Sequence, residues 1–260
     1  MVYQIFLFAL LGLVAGICNT LLGIGGGIVV VPSLFLLFSF FQVDTTSTMH
    51  LAVGTSLAAM SFSTLSATIA QLRHRHVLIK PLLIMILPAI CGAILGSFLS
   101  TMATGKTLKY IFGGFEVVVA VYYFFKKPAQ KGHIEARYHP PLLVLGAFLI
   151  GMVGAFLGIG GGLFVTPLLI LLANPIRNAI GTASCMSFVI TLTAAINHFL
   201  FARAAHFNSV YTPAWIAVAI TAVIGAPIGA ILLKRLPEKR LRQFFALLLL
   251  AAAVSMFANR

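Results

Sequence analysis

Two glycine strings hold the most chemistry in this chain. Gly23-Ile24-Gly25-Gly26-Gly27 interrupts a long apolar run and is followed by Pro32. After 135 residues the string returns as Gly158-Ile159-Gly160-Gly161-Gly162, followed by Pro167. Glycine lacks a Cβ, so its backbone can turn sharply and lie close against a ligand. A string this rich ends a helix, because each glycine costs roughly 0.8–1 kcal/mol relative to alanine. Each string then leads directly into a new apolar segment, whose first N–H groups have no acceptor within the helix. Those amides and the positive end of the helix dipole favour an anion. Neither string is a G-x-x-x-x-G-K-[ST] loop, so a nucleotide is not implied.

Polar side chains near the strings could complete such a site. Asn19 flanks the first, where the second has Gly154. Thr55 and Ser56 follow Gly54, and Thr182 and Ser184 follow Gly181. Their hydroxyls can bond an oxyanion without a fixed charge, or another helix. Glu116 is an acid deep in an apolar run, hence a candidate carrier of a coupling proton; a structural pairing is the alternative. Gln71, Asn197 and His198 could line a polar path, although His198 is expected at a helix end near the membrane surface. No catalytic grouping is present, and no metal site or cofactor is expected. The histidines of Arg73-His74-Arg75-His76 lack ligand partners within their segment, and Cys18, Cys91 and Cys185 show neither zinc nor disulfide spacing.

The elements that must carry these groups are apolar helices. Residues are 61% hydrophobic and only 8% charged, against about 25% charged in soluble domains, which indicates an all-α polytopic membrane protein. Expected segments run from Val2 to Leu22, Ile28 to Phe41, His50 to Leu72, Lys80 to Met102 and, after Lys106 and Lys109, to Phe125. The first reads as a retained helix, not a cleaved signal peptide. A charged linker, 126–141, ends in Pro140-Pro141, and residues 142–260 repeat the first 125: Gly151 follows Gly16 by 135, and Gly229-Ala230-Ile231-Leu232 answers Gly92-Ala93-Ile94-Leu95. Internal duplication of this kind is common in transporters.

If every segment crosses, there are ten spans, five per half, and the repeats are inverted. If the short segment after each string re-enters without crossing, there are eight and the repeats are parallel; inversion is the favoured reading. The formal net charge of +13 is concentrated in the loops of one face, including Arg73, Arg75, Lys80, the linker, Arg177 and 234–242, which marks that face as cytoplasmic. A nucleic-acid partner is not indicated, because no basic face interleaved with aromatics is present.

These motifs resemble the TauE/SafE family of sulfite and organosulfur transporters. The resemblance rests on Gly12, Gly16, Gly23, Gly25, Gly26, Gly27 and Pro32, repeated as Gly151, Gly158, Gly160, Gly161, Gly162 and Pro167. It implies a cytoplasmic-membrane permease with about eight spans for small sulfur-containing anions such as sulfite, sulfonates or sulfoacetate, often working in export. The expected partners are that anion, the bilayer and protons as a candidate coupling ion; oligomeric state is not legible. A passive anion channel and a carrier of a non-sulfur organic anion are the alternatives, and saturation with counterflow separates carrier from channel.

Overall fold

The computed structural model describes residues 2–22, 26–43, 48–125, 139–172, 174–204, 208–233, 247, 249–254 and 256–257. Gly23 and Gly25, residues 126–138 of the linker and the basic run 234–246 lie outside the described residues. The described chain is helical, in the order α1 (Val2–Leu22), α2 (Gly27–Phe41), α3 (Thr48–Arg73), α4 (Ile79–Met102), α5 (Gly105–Phe125), α6 (Pro140–Leu157), α7 (Gly162–Leu171), α8 (Ile176–Ala204) and α9 (Thr212–Leu233). Five of these are long and apolar enough to cross a membrane: α1, α3, α4, α6 and α8. Large side chains such as Leu83, Leu87 and Val118 stay exposed on the outer faces, as lipid-facing positions require.

The glycine strings act as reversals. Tyr3 packs edge-on against Phe41, with ring centroids 6.4 Å apart, and Phe8 against Phe38 at 5.9 Å. The start of α1 therefore lies beside the end of α2, and the two form an antiparallel hairpin with the first string at its tip. In the second hairpin Gly146 of α6 faces Leu168 of α7, while Gly154 lies against the Gly160 carbonyl. Neither α2 nor α7 continues the path of the helix before it. At ten residues α7 rises only about 15 Å, half the hydrocarbon thickness. Neither α2 nor α7 is among the helices long enough to cross: a glycine string shows where a helix stops, and aromatic packing here turns the next one back.

The long helices α3 and α8 pair in the centre. Gly54 lies beside His198, Thr64 bonds Thr191 at 3.2 Å, and the Thr68 hydroxyl donates to the Ser184 carbonyl at 3.1 Å. As numbers rise along α3 they fall along α8, so the two run antiparallel. Each hairpin opens toward the start of the long helix that follows it, so the hairpins approach from opposite ends.

Small residues bind the outer helices to one another in pairs around this centre. Gly12 and Gly16 of α1 let that helix lie against the backbone of α9 at Val218 and Ala222. Gly92 and Gly96 of α4 do the same against Phe148 and Met152 of α6, and Gly151 of α6 against Ala89. Any side chain at Gly16 or Gly151 would strike a carbonyl oxygen. Gly16→Val and Gly151→Val are each expected to destabilise the protein by about 1–3 kcal/mol, read as a lowered thermal midpoint in detergent.

Candidate functional site

The tips of the two hairpins touch. A Cβ on Gly27 would run into the Gly158 carbonyl and come within 2.7 Å of the Ile159 Cα. The contact lies beside the middle of α3: Asn19 donates to the Ser63 hydroxyl at 3.3 Å, Gly26 packs near the Met60 sulfur, and Ser56 donates to the Gly158 carbonyl at 3.0 Å.

Backbone bonding at the second tip is lopsided. The N–H groups of Gly158, Ile159 and Gly160 close the end of α6 by donating to the Ala155 and Gly154 carbonyls at 2.9–3.3 Å. Gly158 and Gly160 reach this arrangement with φ of 75° and 77°. The start of α7 has no such closure: its N-cap is Gly161, and no side chain caps it. The N-cap of α2 is Gly26, φ 63°, also without a side-chain cap. At the second tip the Gly154, Ala155 and Gly158 carbonyls accept hydrogen bonds while no side chain caps the start of α7, which favours an acceptor there.

Hydroxyls surround that opening. Gly160 faces the Thr191 methyl, with Ser187 just beyond it. The Ser187 hydroxyl is 1% exposed and has no hydrogen-bond partner among the described residues. The carboxyl of Glu116 is fully buried, and neither of its oxygens has a partner among the described residues. Its height follows from its neighbours. Gly105 at the start of α5 lies near His50, and Phe115 meets Phe164, the third residue of α7, at 5.6 Å. Glu116 therefore stands level with the tips.

Residues 8–256 match the family described as sulfite exporter TauE/SafE. The chain belongs to this family. YunE of Bacillus subtilis (strain 168), described as a probable membrane transporter protein, is 28% identical over 262 residues, covering 94% of each chain. A Haemophilus influenzae protein of the same description is 29% identical over 267 residues, 97% of this chain and 98% of its own. A Methanocaldococcus jannaschii relative is 25% identical over 229 residues, 85% and 81% of the two chains. The family and the apolar helices together make this a multi-pass membrane protein of a transporter family.

In this TauE/SafE chain, Asn19, Gly26, Gly27, Ser56, Gly158, Gly160, Gly161 and Gly162 come together at the tips. Thr55 and Thr182 are engaged elsewhere. The N–H of Tyr211 donates to the Thr55 hydroxyl at 3.0 Å, and the N–H of Leu78 to the Thr182 hydroxyl at 2.9 Å. Gly54 and Gly181, just before them, accommodate the carbonyls of Ser209 and His76. Each Gly-Thr pair thus latches the chain where it enters a helix, α9 in one case and α4 in the other. Thr55→Val and Thr182→Val are each expected to destabilise by about 1–3 kcal/mol, because a buried N–H loses its acceptor. Thermal midpoints in detergent check this, with the apparent substrate affinity unchanged.

Ser184 donates to the Ile180 carbonyl of its own helix at 3.0 Å. Gln71 contacts His76 at 3.2 Å, and Asn197 donates to the Thr193 carbonyl at 2.8 Å. Because α3 and α8 are antiparallel, Gln71 and Asn197 stand at opposite ends and do not form one path. His198 is fully buried against Gly54, six residues before α8 ends at Ala204. Sequence reasoning missed Ser63, Thr64, Ser187 and Thr191. A signal was available: Thr64 and Thr191 each come ten residues after the glycine of a Gly-Thr pair.

Proposed function

We propose that this protein is a secondary transporter of small sulfur-containing oxyanions, with sulfite, sulfonates and sulfoacetate as the substrate class. The observation that carries the reading is the pair of uncapped helix starts, α2 and α7, brought to one place by touching hairpin tips. An oxyanion held there takes bonds from open amides and from hydroxyls such as Ser187, with no fixed positive charge to hold it too tightly for release. Gly23 and Gly25 belong to the same binding set through their place in the first string. Glu116, level with the tips, carries a coupling proton.

The two halves, 1–125 and 142–260, form inverted repeats. Support comes from packing that repeats with the halves exchanged: α1 packs on α9 as α6 packs on α4, α2 on α3 as α7 on α8, and α3 meets its counterpart α8 antiparallel. A hairpin that enters and returns adds no net crossing, so α3, α4 and α5 leave the first half with an odd number, which inverts the second. Arg73, Arg75, Lys80 and Arg177 then share a face with linker 126–141, and the positive-inside bias puts that face in the cytoplasm of a cell bounded by this membrane.

The test is uptake of labelled sulfite into proteoliposomes. Saturable uptake that supports counterflow, inhibited by sulfonates and not by chloride, is the expected result. Uptake that never saturates points to a channel, and equal flux in protein-free vesicles overturns the reading.

A further inference from the structure

A groove on the membrane-facing side of α3, α8 and α9 has a polar end and an apolar run. The polar end is a cavity of about 540 Å³ in which Arg203, Asn208, Ser209 and Thr212 stand among apolar residues of α3, α8 and α9, Phe62, Phe199 and Trp215 included. Phe62 and Trp215 are shared with a second cavity of about 430 Å³, which runs along Ile216, Ala219, Ile220, Val223 and Ile224 of α9. Arg203, Asn208 and Thr212 supply donors at this end. Arg203 is exposed, and the one acid among the described residues, Glu116, is fully buried in α5. The Trp215 indole N–H has no hydrogen-bond partner among the described residues, and its ring leans on Phe62 at 6.1 Å. From Trp215 to Ile224 the apolar run extends about 14 Å, close to the thickness of one leaflet's hydrocarbon.

We propose that this groove holds one anionic phospholipid. Its phosphate meets Arg203, Asn208 and the Trp215 indole, and one acyl chain lies along Ile216, Ile220 and Ile224. A cation and an indole at one end, with one leaflet's depth of apolar wall below, complement an acidic headgroup and its chain. A seated lipid would also press α9 toward α3 next to the latch that Thr55 makes with Tyr211. The site is separate from the hairpin tips and does not depend on what the protein transports.

Trp215 is the single tryptophan of the chain, so its fluorescence reports this groove alone. The full-length protein is reconstituted into phosphatidylcholine vesicles containing increasing fractions of phosphatidylglycerol brominated on its acyl chains. Half-maximal quenching of Trp215 is expected at a phosphatidylglycerol fraction well below that for brominated phosphatidylcholine. Arg203→Gln raises that fraction about fivefold, and Ile220→Phe, which fills the apolar run, reduces the depth of quenching. Quenching by the two lipids with equal efficiency, unchanged in Arg203→Gln, overturns the proposal in favour of ordinary bulk contact. Trp215 shielded from both lipids, with cross-linking between two copies through α9, overturns it in favour of a dimer interface.

Discussion

Replacing Glu116 with glutamine is expected to abolish proton-driven accumulation of sulfite in proteoliposomes while leaving sulfite–sulfite exchange intact. Glutamine keeps the shape and polarity of the side chain and loses only the titratable proton. For a carrier that moves one proton per anion, a gradient of one pH unit corresponds to roughly tenfold accumulation. The glutamine variant should reach a ratio of about one. A second measurement separates a coupling role from a structural one. The Glu116 carboxyl is buried with no partner for either oxygen among the described residues. Glu116→Leu should therefore raise the thermal midpoint, since an unsatisfied buried polar group costs about 1–3 kcal/mol. If the carboxyl were half of a structural ion pair, its removal would destabilise by about 3–5 kcal/mol. Gained stability with lost accumulation is the pattern of a group kept for function.

The second large effect is expected at Gly160. Its φ of 77° costs alanine about 1–2 kcal/mol. An added Cβ would also approach the Thr191 methyl to 2.8 Å. Gly160→Ala should reduce the initial rate of sulfite uptake about tenfold or more, because the open start of α7 lies two residues further on. Thr191→Ser removes the obstructing methyl and keeps the hydroxyl. Alone it should change little; combined with Gly160→Ala it should recover a large part of the rate, leaving the backbone strain as the residue. Rates of the single and double variants measure this coupling directly. No recovery in the double variant would show that contact between the second tip and α8 does not govern transport.

Helix positions were legible because apolar runs and glycine breaks both leave marks in composition. The expected Val2–Leu22, Ile28–Phe41 and His50–Leu72 segments coincide within two residues with α1, α2 and α3. The direction of the chain after each break was not legible. Gly23–Gly27 reports that a helix ends; that α2 then runs back along α1 depends on Phe8 meeting Phe38. Hydroxyl roles were hidden for a similar reason. Thr55 and Ser56 are adjacent and chemically alike, yet one holds the Tyr211 N–H and the other the Gly158 carbonyl. Neighbours on a helix point about 100° apart, so adjacent residues meet different elements, and only the packing says which.

The pairing of α1 with α9 has a consequence for how the protein is made. Gly16 rests against the Ala222 carbonyl, 206 residues further along the chain. At ribosomal rates of about 5–20 residues per second, roughly 10–40 s pass before that surface is synthesised. During this interval the bare glycine face of the first helix must be shielded by lipid or by the insertion machinery. Neither half can complete its packing alone, so biogenesis is a wait followed by a late zippering of the first helix onto the ninth.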